Sequence, residues 1–251
     1  MKKYIISIFI CTLLGQTVSA QFRSKGSIEF TRSVNQKLSV QLEVDEKMKN
    51  SSFFKEMLKQ LPTKAESYFK MDYNKEQSVY FFEKDGERKN RMGFGGKIAD
   101  ENIVIQNFST NQITAQKEMY EKNFIIQDSL PQYQWKIHDD VRTIAGYPCR
   151  KATTIIHDSV VVVAFYTDQI MVSGGPESFG GLPGMILGLA IPRLYTTWFA
   201  TRVNDITLPE DQIKKIKKGK TITYKELNKE LADRIKDWGN YGQALLWKST
   251  L

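Results

Sequence analysis

The stretch AESYFKMDYNKEQSVYFFEKD, Ala65–Asp85, decides how the rest of the chain is read. Two runs rich in aromatic residues, AESYFKMDYN and QSVYFFEKD, meet at the polar triplet NKE, Asn74–Glu76. That arrangement predicts a β-hairpin. Working outward, the same texture recurs. GSIEFTRSV places Ile28, Phe30 and Arg32 on one face and Glu29, Thr31 and Ser33 on the other. KLSVQLEVD alternates more cleanly, with Leu38, Val40, Leu42 and Val44 inward, and predicts a second strand. ENIVIQNFST, QITAQKEMY and NFIIQDS are three more strands at short spacing. YQWKIHDDVRTIAGYPCRKATTII reads as strand, AGYP turn and strand, with SVVVVAFYTD next. MILGLAI and LYTTWFATRV form a further hairpin about Pro192-Arg193.

Helical texture is sparse. Residues 51–60 carry Phe53, Phe54, Met57 and Leu58 on a helical stripe, with Ser51 or Ser52 as cap and Pro62 as stop. After residue 208 the pattern changes. PEDQIKKIKKG predicts a helix, with proline in its first turn and glycine at its end. TYKELNKELADRIKDWG opens with Thr223 and Glu226 at capping-box spacing and carries Leu227, Leu231 and Ile235 on one stripe. The tail NYGQALLWKSTL has no assignment. The expected fold class is mainly β, of the α+β kind: a large curved antiparallel sheet, half-barrel-like, with a short helix near 51–60 and C-terminal helices. The expected organisation is a signal peptide over 1–20, a β domain over 21–208, and a helical extension over 209–251 packed on or beside the sheet.

The start of the chain, MKKYIISIFICTLLGQTVSAQF, fits a secretory signal. Lys2 and Lys3 precede a short apolar region, Ile5–Gly15, and Val18 and Ala20 form a small-residue cleavage site before Gln21. Cys11 lacks the small residue that a lipoprotein signal needs before it. The expectation is an exported, periplasmic protein without a lipid anchor and without a transmembrane segment in its mature chain. The net charge of +8 falls to +6 without Lys2 and Lys3. Acidic residues are interleaved and no dense basic arm is present, so no nucleic-acid partner is expected. Only Cys149 remains after cleavage, so stability rests on packing without an internal disulfide.

Between the last two hairpins lies GGPESFGGLPGMILG, Gly174–Gly188, six glycines and two prolines in fifteen residues. Pro183-Gly184 fits a type II turn, and Leu182 is extended by the proline after it. The paired glycines 174–175 and 180–181 allow close backbone approach. Phe179 and Leu182 are apolar anchors. Pro176, Phe179, Gly181, Leu182, Pro183 and Gly184 are therefore the candidate binding residues, in a loop that is structural first and a partner surface second. GGLPGMIL, Gly180–Leu187, resembles the signature of the GLPGLI family, with Met185 in place of the usual Leu. IAGYPCRKAT, AFYTDQI and the Gly175-Pro176 pair agree with that family's pattern. The resemblance implies an exported protein of bacteria with an outer membrane, in a family without an established function that is linked to outer-membrane receptor systems. The strand order also looks like the half-open barrel of periplasmic lipoprotein carriers.

Other chemistry is thin. GFGGK, Gly93–Lys97, lacks the spacing of a phosphate-binding loop and reads as a plain loop. His138 and His157, each in an IHD triplet, would join Asp139, Asp140 and Asp158 as metal ligands if the AGYP hairpin brought them together. Strand-end surface histidines are the simpler reading. Cys149 reads as a small buried thiol. No nucleophile elbow or zinc spacing occurs, so no catalytic residue, metal or cofactor is assigned. Apolar residues on both faces of YTTWFATRV, with Trp198 on one and Phe199 on the other, suggest a sheet covered on both sides or an apolar ligand groove. The reading is a non-enzymatic exported module that binds an outer-membrane receptor or other envelope protein, or an apolar or peptidic ligand. Its alternatives are a metal-handling accessory using His138 and His157, or an undetected hydrolase.

Overall fold

The computed structural model describes residues 22–86, 99–119, 121–249 and 251. The signal region and Gly93–Lys97 lie outside the described residues. The fold is mainly β. Two meanders join side by side into one twelve-stranded sheet. The first comprises β1 (Gly26–Asn35), β2 (Lys64–Tyr73), β3 (Gln77–Asp85), β4 (Ile103–Asn107), β5 (Gln112–Met119) and β6 (Lys122–Ser129). The second comprises β7 (Lys136–Ile144), β8 (Tyr147–Ile156), β9 (Val160–Thr167), β10 (Met185–Ile191) and β11 (Thr196–Asn204). Antiparallel pairing of β1 with β11 unites them, with Thr31 opposite Phe199. A short strand β12 (Lys220–Ile222) adds in parallel beside β6. The hairpin of Ala65–Asp85 forms as expected, with Tyr73 opposite Ser78.

The connection from β6 to β7 requires the sheet to curve. These strands stand ten strand intervals apart in the sheet, which in a flat sheet is about 48 Å at ~4.8 Å per interval. Only residues 130–135 link them, and seven extended peptide steps reach at most about 25 Å. The sheet therefore rolls until its two far margins approach each other, and this strap crosses the mouth of the resulting bowl. The main core fills the concave side: Ile28, Phe30, Phe69, Tyr80, Val104, Ala164, Leu189 and Trp198 all belong to it.

The helices differ from expectation in three places. Residues 36–42 form a helix, α1 (Gln36–Leu42), in place of the expected strand. Of the four apolar residues of that run, Val40 and Val44 are the buried ones. They stand four apart, a helical spacing that the strict alternation conceals, while Leu38 is left exposed. The Asn35 side chain accepts from the Leu38 N–H at 3.2 Å and caps the helix. Two short helices, α2 (Glu46–Asn50) and α3 (Ser52–Gln60), follow. The cap of α3 is Ser51, and Phe54 packs with Val40, Val44 and Leu61.

Second, the helix expected over PEDQIKKIKKG is absent. Only Glu210–Gln212 makes a 3₁₀ turn. The rest is an extended strap whose Ile213 and Ile216 pack, with Leu208, on Val79, Phe81 and Ile103 across the convex face. Third, the unassigned tail is helical: α4 (Tyr224–Ile235) is followed by α5 (Gly239–Ser249). Leu227, Leu231, Ile235, Leu245, Trp247 and Leu251 all enter the main core, and the capping box of Thr223 and Glu226 is formed. No helix of the described residues is long and apolar enough to cross a membrane.

Candidate functional site

The loop between β9 and β10 enters the bowl and organises its polar interior. It is closed first on itself. Ser173 Oγ donates to the Leu182 carbonyl at 2.7 Å and accepts from the Gly181 N–H at 3.1 Å. The Ile186 N–H donates to the Gly174 carbonyl at 2.9 Å, pinning the loop to the start of β10. The glycines are needed where backbones touch. A Cβ on Gly175 would stand 2.8 Å from the Ile186 Cβ, and one on Gly180 would stand 2.8 Å from the Ser173 carbonyl oxygen. The turn at Pro183-Gly184 departs from type II. The Gly184 N–H donates to the Leu182 carbonyl at 2.7 Å, a tighter closure about Pro183. Gly184 takes φ +143°, and a Cβ there would collide with the backbone of Thr167.

Of the six candidate binding residues, Pro176, Phe179, Leu182 and Gly184 are buried, and Gly181 and Pro183 are exposed. Phe179 stacks on Tyr133 of the strap with ring centroids 5.1 Å apart. Trp135 of the same strap donates Nε1–H to the Gly180 carbonyl at 2.9 Å. The loop and the strap thus hold each other across the mouth of the bowl.

Sequence reasoning missed Glu177, which lies at the centre. It is 1% exposed and takes φ +54°. Its carboxylate accepts from Asn102 Nδ2 at 2.7 Å and from Trp198 Nε1 at 3.2 Å. Gln106 Nε2 donates to the carbonyls of Glu177 and Phe179, at 3.3 and 3.2 Å. Burial works against the charge of the nearby Arg32 guanidinium, and Asp100, Glu177 and Tyr80 more than reverse it, so its pKa is raised. Arg32 and Asp100 pair at 2.9 Å. Burial, reinforced by Glu177, pushes the Tyr80 hydroxyl well above its ordinary value. A buried carboxylate is stable only with such a retinue of donors and cations.

Lys117 is a further buried charge, with no exposed surface. Its Nζ donates to the Ser249 carbonyl at 3.0 Å and to the Leu251 carbonyl, tying α5 to β5. Burial lowers its pKa to about 8, against a smaller opposing pull from Glu177. Burial also raises the Tyr133 hydroxyl to about 12, although Ser178 bonds it.

The remaining candidates stand apart. Cys149 is fully buried, and burial pushes its thiol up to about 12. His138 Nε2 shares a 2.8 Å hydrogen bond with Thr153. Thr153 lies four residues before His157, about 13 Å along a strand, so the hairpin does not bring the two imidazoles together. Burial lowers the His157 pKa, with Asp158 opposing. Among the described residues no three His, Cys, Asp or Glu side chains gather where they could hold a metal ion.

Residues 88–234 match the family model of the N-glycanase peptide, N-terminal domain. The chain belongs to this family. No curated protein matches it. Among solved structures, PNGF-II in a C2 crystal form is 17% identical over 90% of this chain and 33% of its own, with a TM-score of 0.51. The P21 form is 17% identical over 90% of this chain and 34% of its own, with a TM-score of 0.49. That likeness shows the fold alone, and the chain spans about a third of the length of PNGF-II. For this member of the N-terminal domain family, the matched region runs from before β4 through α4 and contains the whole loop, the strap and Glu177.

Proposed function

We propose that the chain is an exported, non-enzymatic binding or accessory module of the bacterial envelope, working beside an outer-membrane receptor or another envelope protein. The observation that carries this reading is the commitment of Glu177. Its two carboxylate oxygens are held by Asn102 and Trp198 inside the bowl. The group best placed to act as an acid or base is thus spent on architecture, and the working surface lies outside. Membership of a family described as an N-terminal domain of an N-glycanase supports an accessory role, because the domain is named apart from the rest of that enzyme. The likeness of Gly180–Leu187 to the GLPGLI signature supports an envelope setting, as does the secretory pattern of residues 1–20.

The deciding experiment incubates the mature chain with an N-glycosylated peptide and follows glycan release by mass spectrometry. No release is expected. Release of glycan by the purified wild-type chain would overturn the reading. Fractionation of the source cells supplies the second arm, with the protein expected in the periplasmic fraction and a cytoplasmic location counting against export.

A further inference from the structure

Exposed apolar side chains gather at one end of the sheet. β1 and β2 are hydrogen-bonded neighbours as far as Asn35 opposite Lys64, and a turn of about 2–5 residues would join them. The chain instead runs through residues 36–63 and builds α1, α2 and α3 there. This cap has a small core of its own, Val40, Val44, Phe54 and Leu61, apart from the main one. Connections that a scaffold does not need for its topology are where binding residues concentrate. The cap leaves apolar side chains in solvent: Phe53 is 69% exposed, and Met48 and Leu38 are exposed as well. The α2–α3 junction places Met48 and Phe53. Its Ser51 Oγ donates to the Met48 carbonyl at 2.7 Å and accepts from the Phe54 N–H at 3.2 Å. Exposed Tyr195 stands beside the cap, because its carbonyl takes the Asn35 N–H at 2.9 Å.

The charge of this end is positive on balance. Its carboxylates are answered one by one: Glu43 by Lys248, Glu46 by Lys49 at 2.6 Å, Glu56 by Lys59 at 3.0 Å and Glu66 by Lys64 at 2.5 Å. Asp45 caps α2 through the Met48 N–H at 2.7 Å. Lys37, Lys47, Lys55 and Arg193 make no ion pair among the described residues, although Arg193 lies 4.8 Å from the centroid of the Trp247 ring. Lys47, Lys55 and Arg193 are exposed. Farther along the same margin, Asp85 ends β3 beyond β2, and Asp158 sits in the β8–β9 turn beyond β11 and β10. The cap and the Tyr195 turn thus present cations in excess, around apolar side chains that nothing in the fold covers.

We infer that this end of the molecule docks on the surface of an anionic phospholipid membrane. Two demands are met at once there. A soluble polyanion would pair with the lysines and leave Phe53, Met48 and Leu38 in water. An apolar ligand would bury those side chains and leave the cations unanswered. The interfacial zone of an anionic bilayer offers acyl chains beneath and phosphates above. Tyr195 suits the same zone, with an apolar ring and a polar tip. Lysine stems run along the apolar level while their ammonium groups stay among the headgroups. Either part alone holds a protein weakly, and the two together reinforce each other. Salt weakens the contact, since exposed charges are screened. The inference rests on the envelope reading for where such a surface is met. It places contact at the cap, away from the glycine loop.

The test sediments the mature chain with vesicles of phosphatidylglycerol and phosphatidylethanolamine, and with vesicles of phosphatidylcholine alone. Binding to the anionic vesicles is expected, about tenfold or more tighter than to the neutral ones and released by high salt. Phe53→Ser should weaken it about fivefold or more, and Lys47→Glu together with Lys55→Glu about tenfold or more. All three side chains are exposed, so these variants should keep the wild-type melting temperature. Should Phe53→Ser unfold, Phe53→Trp replaces it, with emission that shifts to the blue on binding. Met171 is exposed at the opposite end, where its N–H donates to the Arg23 carbonyl ahead of β1, and Met171→Ser should bind like the wild type. No binding to anionic vesicles overturns the inference, as does binding that the lysine pair or Phe53→Ser leaves unchanged. A matching loss in Met171→Ser also overturns it. Equal or tighter binding of the peptide Glu-Leu-Glu-Leu-Glu at the same residues overturns it in favour of an acidic protein partner. Vesicle binding is read without cells or glycans, so its failure leaves the fractionation and glycan-release experiments untouched.

Discussion

Gly184 shows how far one residue constrains this loop. An added Cβ would lie 2.1 Å from the Thr167 carbonyl oxygen, at a φ of +143°. Gly184→Val should therefore cost about 3 kcal/mol or more, combining backbone strain with a clash that only strand movement relieves. A melting temperature equal to that of the wild type would contradict it. Glu177→Ala strips partners from two buried donors, Asn102 Nδ2 and Trp198 Nε1. At about 1–3 kcal/mol for each stranded donor, chemical denaturation should show a loss of about 2–6 kcal/mol. Lys117 supplies a pH test. Its folded pKa is about 8, below its ordinary value of 10.5. Between those values the unfolded chain holds more protons, so stability rises with pH across that window and is lost as pH falls through about 8. Relative to Lys117→Met, the wild type should gain up to about 1.4 kcal/mol per pH unit from pH 8 to 10. A difference that stays flat between pH 7 and 10 would refute it. None of this centre was legible in the sequence. Glu177 and Asn102 stand 75 residues apart, and no local spacing marks a carboxylate whose partners arrive only when distant strands assemble.

At the scale of elements, the signals that worked were local. The capping box of α4 needs only Thr223 and Glu226, whose Oε2 takes the Thr223 N–H at 2.8 Å. Thr223→Ala should cost about 1 kcal/mol and speed amide exchange in the first turn of α4. Unaltered exchange there would mean that packing alone holds the helix start. The signals that misled were ambiguous periods. Val40 and Val44 satisfy both alternation and a helical step, and the Asn35 cap settles the matter for the helix. Ile213 and Ile216 also suit a helix. Yet both find Val79, Phe81 and Ile103 on the sheet, and Gln116 takes the Lys217 N–H. The strap exchanges an internal helical ladder for contacts that exist only once the sheet is built. α5 was hidden because its glycines break the pattern, whereas Leu245 and Trp247 are buried by the bowl.

At the scale of the molecule, the run of hairpins made a mainly β sheet legible, but its joining was not. β1 and β11 meet across 172 residues, as at Glu29 and Thr201. Such distant pairing makes folding slow, because loop closure precedes its reward. Cys149 offers a probe of it. The thiol is buried and raised to about 12, so labelling at pH 8 should be slow in the native protein and rapid after unfolding. Rapid labelling of the native protein would show that β7 and β8 open on their own.

Residues 130–135 act as a tether of fixed length across the rim, and the curvature of the whole sheet is set by how little chain they contain. Lengthening that tether would let the margins spread without breaking a single rung between strands. The tether therefore sets an upper limit on bowl width, and a wider bowl would also need more side chains to fill it.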